Sequence, residues 1–259
     1  MFLENADVNT IEENLLSSNF NGIEMKNSSI NIISKNNVSD NVNGIHLDLS
    51  DENVLTQNNV QFNEHGIVIA GSLLNNILGN TFMENSEYGI YLSFSNLTQV
   101  IQNEVLDNND SGMYIASSHL SYIAKNNVTN NGFMGIYLFY SDSNLVEENS
   151  VTYSELDGIL VHSSQNNTIF NNTVNYNGRY GIQIYKSKNN TVSHNVLHYN
   201  KLLCIWVEDS EDTTLTENDC IQPLVTWGVI GLVVVITSII GLIVYRKKRN
   251  NIPKFNNQI

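Results

Sequence analysis

Two prolines, two cysteines and twelve basic residues in 259 positions make this chain conspicuous for what it does without. Proline is what interrupts strand ladders and helix interiors, so its scarcity leaves long stretches free to pair. Two cysteines exclude a disulfide-dense scaffold and a four-thiolate zinc site. All 26 acidic residues precede Pro223, and seven basic residues against them leave that region at −19. That sign excludes nucleic-acid binding through phosphate and reads as a solvated surface. Charged residues are 15% of the chain and asparagine is abundant, a composition shared with prion-like disordered tracts. Disordered tracts, however, lack apolar surface to bury, and this chain has it in strict columns.

What is present is a repeat. Gly-Ile stands at Gly22, Gly44, Gly66, Gly89, Gly135, Gly158 and Gly181, with Gly112-Met113 filling the gap; the interval is 22 residues twice and 23 thereafter. The position three after Gly is apolar in every coil, from Met25 and Leu47 to Val161 and Ile184. Apolar residues at Gly+1 and Gly+3 have period two, the mark of a short strand with one buried face. Two further apolar columns follow, one through Ile33, Leu55, Ile77 and Val100, the other through Leu16, Val38, Val60 and Phe82. Between them run polar columns: a serine six after each Gly (Ser28 to Ser210), an unbroken asparagine series (Asn14 to Asn218) and a second asparagine series interrupted only at Ser154. The extra residue of the longer coils always falls just before Gly, which marks that corner as the tolerant one.

Fixed self-similarity at this period is the signature of a solenoid. Three short strands per coil predict an all-β, right-handed parallel β-helix over residues 1–222, with about ten coils rising about 4.8 Å each. Stacked amides carry donors and an acceptor and form ladders. Glycine at the third corner is expected to supply a positive φ. A leucine-rich repeat shares the period but would need a helical segment that these columns leave no room for.

Residues 224–245 read LVTWGVIGLVVVITSIIGLIVY without a charge, and Arg246, Lys247, Lys248 and Arg249 follow at once. About 20 apolar residues span a bilayer, and the basic flank places the tail, 246–259, in the cytoplasm. The expectation is a single-pass cell-membrane protein with its β-helix outside. The segment from Met1 to Thr10 has neither the basic start nor the apolar core of an export signal, while Ile11 and Asn14 already occupy repeat columns. A signal and further coils upstream are therefore expected, unless the span serves as its own insertion signal. Eight Asn-x-Ser/Thr sequons, at Asn27, Asn37, Asn96, Asn109, Asn127, Asn166, Asn171 and Asn189, fit an exported chain. Cys204 replaces Gly in the last coil and Cys220 enters an apolar column; a disulfide and two small buried thiols both fit.

The repeat units GIYLSFSNLTQVIQNEVLDNND and GIQIYKSKNNTVSHNVLHYN resemble the parallel β-helix repeats of the NosD-like family, over nearly all of residues 5–222. The resemblance implies kinship with periplasmic copper-binding proteins and with carbohydrate-binding proteins and sugar hydrolases that share this helix. The apolar span with its basic tail looks like a bacterial or archaeal surface anchor.

The outward slot two after Gly holds Tyr91, Tyr114 and Tyr137 in consecutive coils and Trp206 further on; Phe139 and Tyr185 occupy the slot four after Gly. Such a stripe offers sugar C–H faces a packing surface and phenols to hydrogen-bond, against the plainer fact that aromatics favour strands. Glu64, Glu87 and Asp110 share one slot in successive coils and could hold Ca2+ with corner carbonyls, but without an acidic Gly-rich calcium repeat a solvated charge run is the better reading. The six histidines fall in different columns, so no ligand cluster supports copper. Glu155, Asp157 and Arg179 lie on neighbouring coils, where an Asp157–Arg179 salt bridge is a plainer reading than the paired carboxylates of a glycosidase. The expected function is a surface β-helix, glycan-binding or structural and with no cofactor; the alternative is a carbohydrate-active lyase or hydrolase, or a copper accessory protein.

Overall fold

A computed structural model describes residues 1–223; the apolar run 224–245 and the basic tail 246–259 lie outside the described residues. One representative coil consists of the strands Asn43–Asp48, Val54–Thr56 and Asn59–Gln61. Each strand pairs in parallel with its counterparts one coil before and after, giving three ten-stranded sheets. The architecture is the expected parallel β-helix of ten coils, and among the described residues no element is helical.

Register puts like on like. Ile45, Ile67 and Ile90 align in the first sheet, Leu55, Ile77 and Val100 in the second, and Val60, Phe82 and Val105 in the third. All nine are fully buried. Because side chains alternate faces, a one-residue slip would turn each of these columns outward, so burial fixes the register.

Four polar ladders, rather than three, run the length of the rod. Beside the serine column and the two asparagine columns, Asn31, Asn53 and Asn75 continue through Thr98 and Ser121 to Asn144, Asn167 and Asn190. In each asparagine ladder the amide oxygen of one coil accepts from the preceding coil: Asn58 Oδ1 takes the backbone N–H of Asn36 at 3.0 Å and its Nδ2 at 2.9 Å. Asn58 Nδ2 donates in turn to the Ile33 carbonyl at 2.8 Å. The corners turn on the residue just before each ladder position. Leu49, Glu52, Gln57 and Phe62, which precede Ser50, Asn53, Asn58 and Asn63, all have φ between 49 and 58°. A left-handed residue with a Cβ costs about 1–2 kcal/mol, which the ladder bonds offset by fixing the residue that follows.

The glycine column works differently from the expectation. None of its members has a positive φ; among the described residues only Gly71 and Gly79 do so as glycines. Space is what selects glycine: a Cβ on Gly112 would stand 2.7 Å from Val128 Cγ1 and 2.9 Å from the Gly135 carbonyl oxygen. Cys204, in that column's last place, bonds to Cys220, which settles the open choice between disulfide and thiols.

Candidate functional site

Strand pairing sets Tyr91 opposite Tyr114 and Tyr114 opposite Tyr137 on the outer face of the first sheet. Their ring centroids are 5.2 and 5.0 Å apart with interplanar angles of 7 and 27°. The rings shingle onto one another along the rod axis, so the surface they give solvent is a ribbon of half-buried edges and hydroxyls rather than a flat plate. Phe139 joins at 5.8 Å from Tyr137 and His162 at 5.0 Å from Phe139; Tyr185 closes the row at 4.8 Å from His162. Five of the six aromatic residues singled out by sequence are thus brought into one column.

Trp206 is not among them. Leu160 and Gln183 fill the intervening coils of its slot and are buried, and Trp206 stacks instead on Tyr180 at 5.8 Å. Conversely, Tyr88 and His162 belong to the column without having been singled out. Tyr88 lies 5.5 Å from Tyr91 and 5.3 Å from Tyr114, and His65 stacks on Tyr88 at 5.6 Å. His162 was legible: it shares the slot four after Gly with Phe139 and Tyr185. Tyr88 and His65 share the slot just before Gly, a signal hidden because the glycine that follows breaks the period-two pattern.

Burial raises the Tyr137 phenol to about 12, with neighbouring tyrosines adding to it. Tyr88 rises to about 12 by burial first and then by the charges of Asp110 and Glu87, and burial raises Tyr114 as well. His162 is lowered by burial and then by the Lys186 charge. The ribbon therefore presents protonated phenols and a neutral imidazole at pH 7. Tyr137 Oη and His162 Nδ1 lie 2.9 Å apart; the phenol donates when the imidazole proton is on Nε2.

The other candidate groups disperse. Asp157 is fully buried and taken up by Arg179, whose Nε donates to Oδ1 at 2.8 Å and whose Nη2 donates to Oδ2 and, at 2.8 Å, to Gln183 Oε1. The Tyr180 N–H also donates to Asp157 Oδ1, at 3.0 Å. The carboxylate is thus a structural anchor, as expected from the salt-bridge reading, while Glu155 lies at an exposed corner beside Asn130 and Asp107. Asp110 turns back to the N–H and Oγ of its neighbour Ser111. Glu64 and Glu87 flank His65 instead, at 3.9 and 3.7 Å. Of the remaining histidines three go to separate partners, His119 Nδ1 accepting from the Asp142 N–H and His194 and His198 meeting Glu217 and Asp219, while His46 Nδ1 has none.

Among solved structures the chain is similar to a mutant of the periplasmic alginate epimerase AlgG, with TM-score 0.60 and 14% identity over 82% of this chain and 74% of that one. It is similar to the A-module of the mannuronan C-5 epimerase AlgE4 of Azotobacter vinelandii, with TM-score 0.59 and 12% identity over 83 and 76%. DFA-IIIase from Arthrobacter chlorophenolicus A6, in complex with GF2, matches with TM-score 0.64 and 15% identity over 75 and 56%. At such identities the likeness carries the fold. No curated protein matches the chain. Two overlapping stretches, residues 3–150 and 87–245, match the family described as periplasmic copper-binding protein (NosD), and with nearly its whole length so covered, the chain belongs to the NosD family.

Proposed function

We propose that this protein is a glycan-binding solenoid displayed at the cell surface, held by residues 224–245 as a membrane span, with the aromatic ribbon of its first sheet as the binding surface. One observation carries the reading: a continuous row of half-buried rings from Tyr88 to Tyr185 with hydroxyls along its edge. Exposed apolar rows rimmed by polar groups mark contact sites, and ring edges with phenol donors suit the mixed C–H and hydroxyl surface of a sugar chain. Fold neighbours named for alginate, mannuronan and DFA-III chemistry are consistent with a carbohydrate partner. The charge of −19 before Pro223 repels polyanions, so an uncharged polysaccharide is favoured over a polyuronate.

Glycan-array binding followed by affinity measurement tests this, using wild-type protein beside Tyr114→Ala and Tyr137→Ala. Loss of neutral-glycan binding in both variants, with melting temperature maintained, supports the ribbon; undiminished binding refutes it.

A second reading, a carbohydrate-active enzyme, rests on the Tyr137–His162 hydrogen bond, since a phenol and a neutral imidazole in contact can pass a proton between them. Release of new reducing ends or unsaturated sugars from a bound polysaccharide, abolished in His162→Ala, would favour it. The copper of the family description does not fit the residues present. A Cu+ site draws on thiolates, thioethers and clustered imidazoles; here both cysteines form a disulfide, Met25, Met113 and Met134 are in the interior, and the histidines of the described residues are dispersed.

A further inference from the structure

We propose that Glu64, His65 and Glu87 form a site for a divalent cation of borderline hardness, Zn2+ or its like, at one end of the aromatic ribbon. Glu64 and Glu87 occupy the same slot in successive coils, and the Glu87 N–H donates to the Glu64 carbonyl at 2.8 Å. Their side chains leave the corner side by side, with Glu64 Oε1 3.9 Å from His65 Nε2 and Glu87 Oε2 3.7 Å from His65 Nδ1. The carboxylate and imidazole donor atoms lie within 4.8 Å of one another. A zinc ion with bonds of about 2.0–2.2 Å draws such donors closer together, a closure that two half-exposed glutamates make by rotating.

His65 supplies the second observation. Its Nδ1 is shielded from solvent and has no hydrogen-bond partner, a state that is unfavourable when left unmet. Stacking on Tyr88 at an interplanar angle of 10° holds the ring in place. His46 Nδ1 is likewise unpartnered, but among the described residues only the His65 cluster gathers three ligating groups. Two carboxylates and one imidazole are a donor set for Zn2+ or Mn2+ rather than Cu+. By the usual affinity order Cu2+ added alone would also occupy it, so Cu2+ uptake by this protein is no evidence of a copper-delivery site.

The test is calorimetric titration of the full chain in detergent with Zn2+ alone, in wild type, Glu87→Gln and His65→Ala. Outer-shell substitutions already weaken metal sites about 10–100-fold, so a loss of at least about tenfold is expected in each variant from a wild-type stoichiometry near one. Zn2+ should raise the melting temperature of wild type and not of the variants. The near-isosteric Glu87→Gln keeps the comparison valid should His65→Ala lose the Tyr88 stack. Absence of Zn2+ binding to wild type, or full-strength binding in Glu87→Gln, overturns the proposal. Glycan binding is read separately through Tyr114→Ala, so neither failure can be mistaken for the other.

Discussion

Asn126 shows what one amide does in this rod. Its Oδ1 accepts from the backbone N–H and the Nδ2 of Asn103, and its Nδ2 donates to the Val100 carbonyl and to Asn149 Oδ1. Alanine there would strand buried groups on both sides, and urea melts should show a loss of about 1–3 kcal/mol. Ser154 is the converse case. It interrupts its asparagine ladder, and its Oγ is buried without a partner. Ser154→Asn should restore the ladder and raise stability by about 1 kcal/mol in the same assay. Tyr88 and Tyr137, both pushed up to about 12, should ionise late in an alkaline absorbance titration. A raised phenol pKa favours the neutral form in the folded state, so its contribution is complete below the ordinary value near 10 and is lost as pH climbs through about 12.

At the scale of the element, the disulfide closes the last coil across a separation of 16 residues. A loop of that size is worth about 3 kcal/mol by the chain-entropy account; Cys204→Ser/Cys220→Ser should lose about that from the C-terminal coil, read as faster hydrogen exchange over Leu203–Glu208 and Thr214–Thr216. The strands, their register and three of the four ladders were legible in the sequence because stacking repeats one residue type at one interval, as in Ile45, Ile67 and Ile90; the fourth ladder changes type at Thr98 and Ser121. What escaped depends on backbone geometry and contacts between columns. No residue type marks the left-handed corners, which accept Leu49, Glu52 and Phe62 alike. The glycine column reads as a turn until the facing Val128 and the next coil's carbonyl are seen. Trp206 keeps the aromatic slot, yet Leu160 and Gln183 separate it from the ribbon. The sequons also take on a different look: Asn166, Asn171 and Asn189 sit at left-handed corners directly before ladder asparagines. Asparagine tolerates that conformation better than most residues, so the Asn-Asn-Thr triplets arise from the coil itself.

For the molecule as a whole, each coil touches only its neighbours, so stability is a chain of nearest-neighbour terms. A surplus of acidic residues running along such a rod opposes its compaction. Salt at 0.1 M screens that repulsion beyond about 10 Å, and the melting temperature should therefore rise with NaCl; a fall would mean that ion pairs such as Lys188–Glu211 outweigh the repulsion. Under the proposed function the same field favours an uncharged polysaccharide, laid along the first sheet. The most direct measurement is hydrogen–deuterium exchange of the full chain with and without the tightest-binding neutral polysaccharide. Protection confined to Ile90–Ser93, Met113–Ala116, Ile136–Phe139, Ile159–His162 and Tyr180–Tyr185 is the predicted result; protection on the second or third sheet, with the first unchanged, would contradict it.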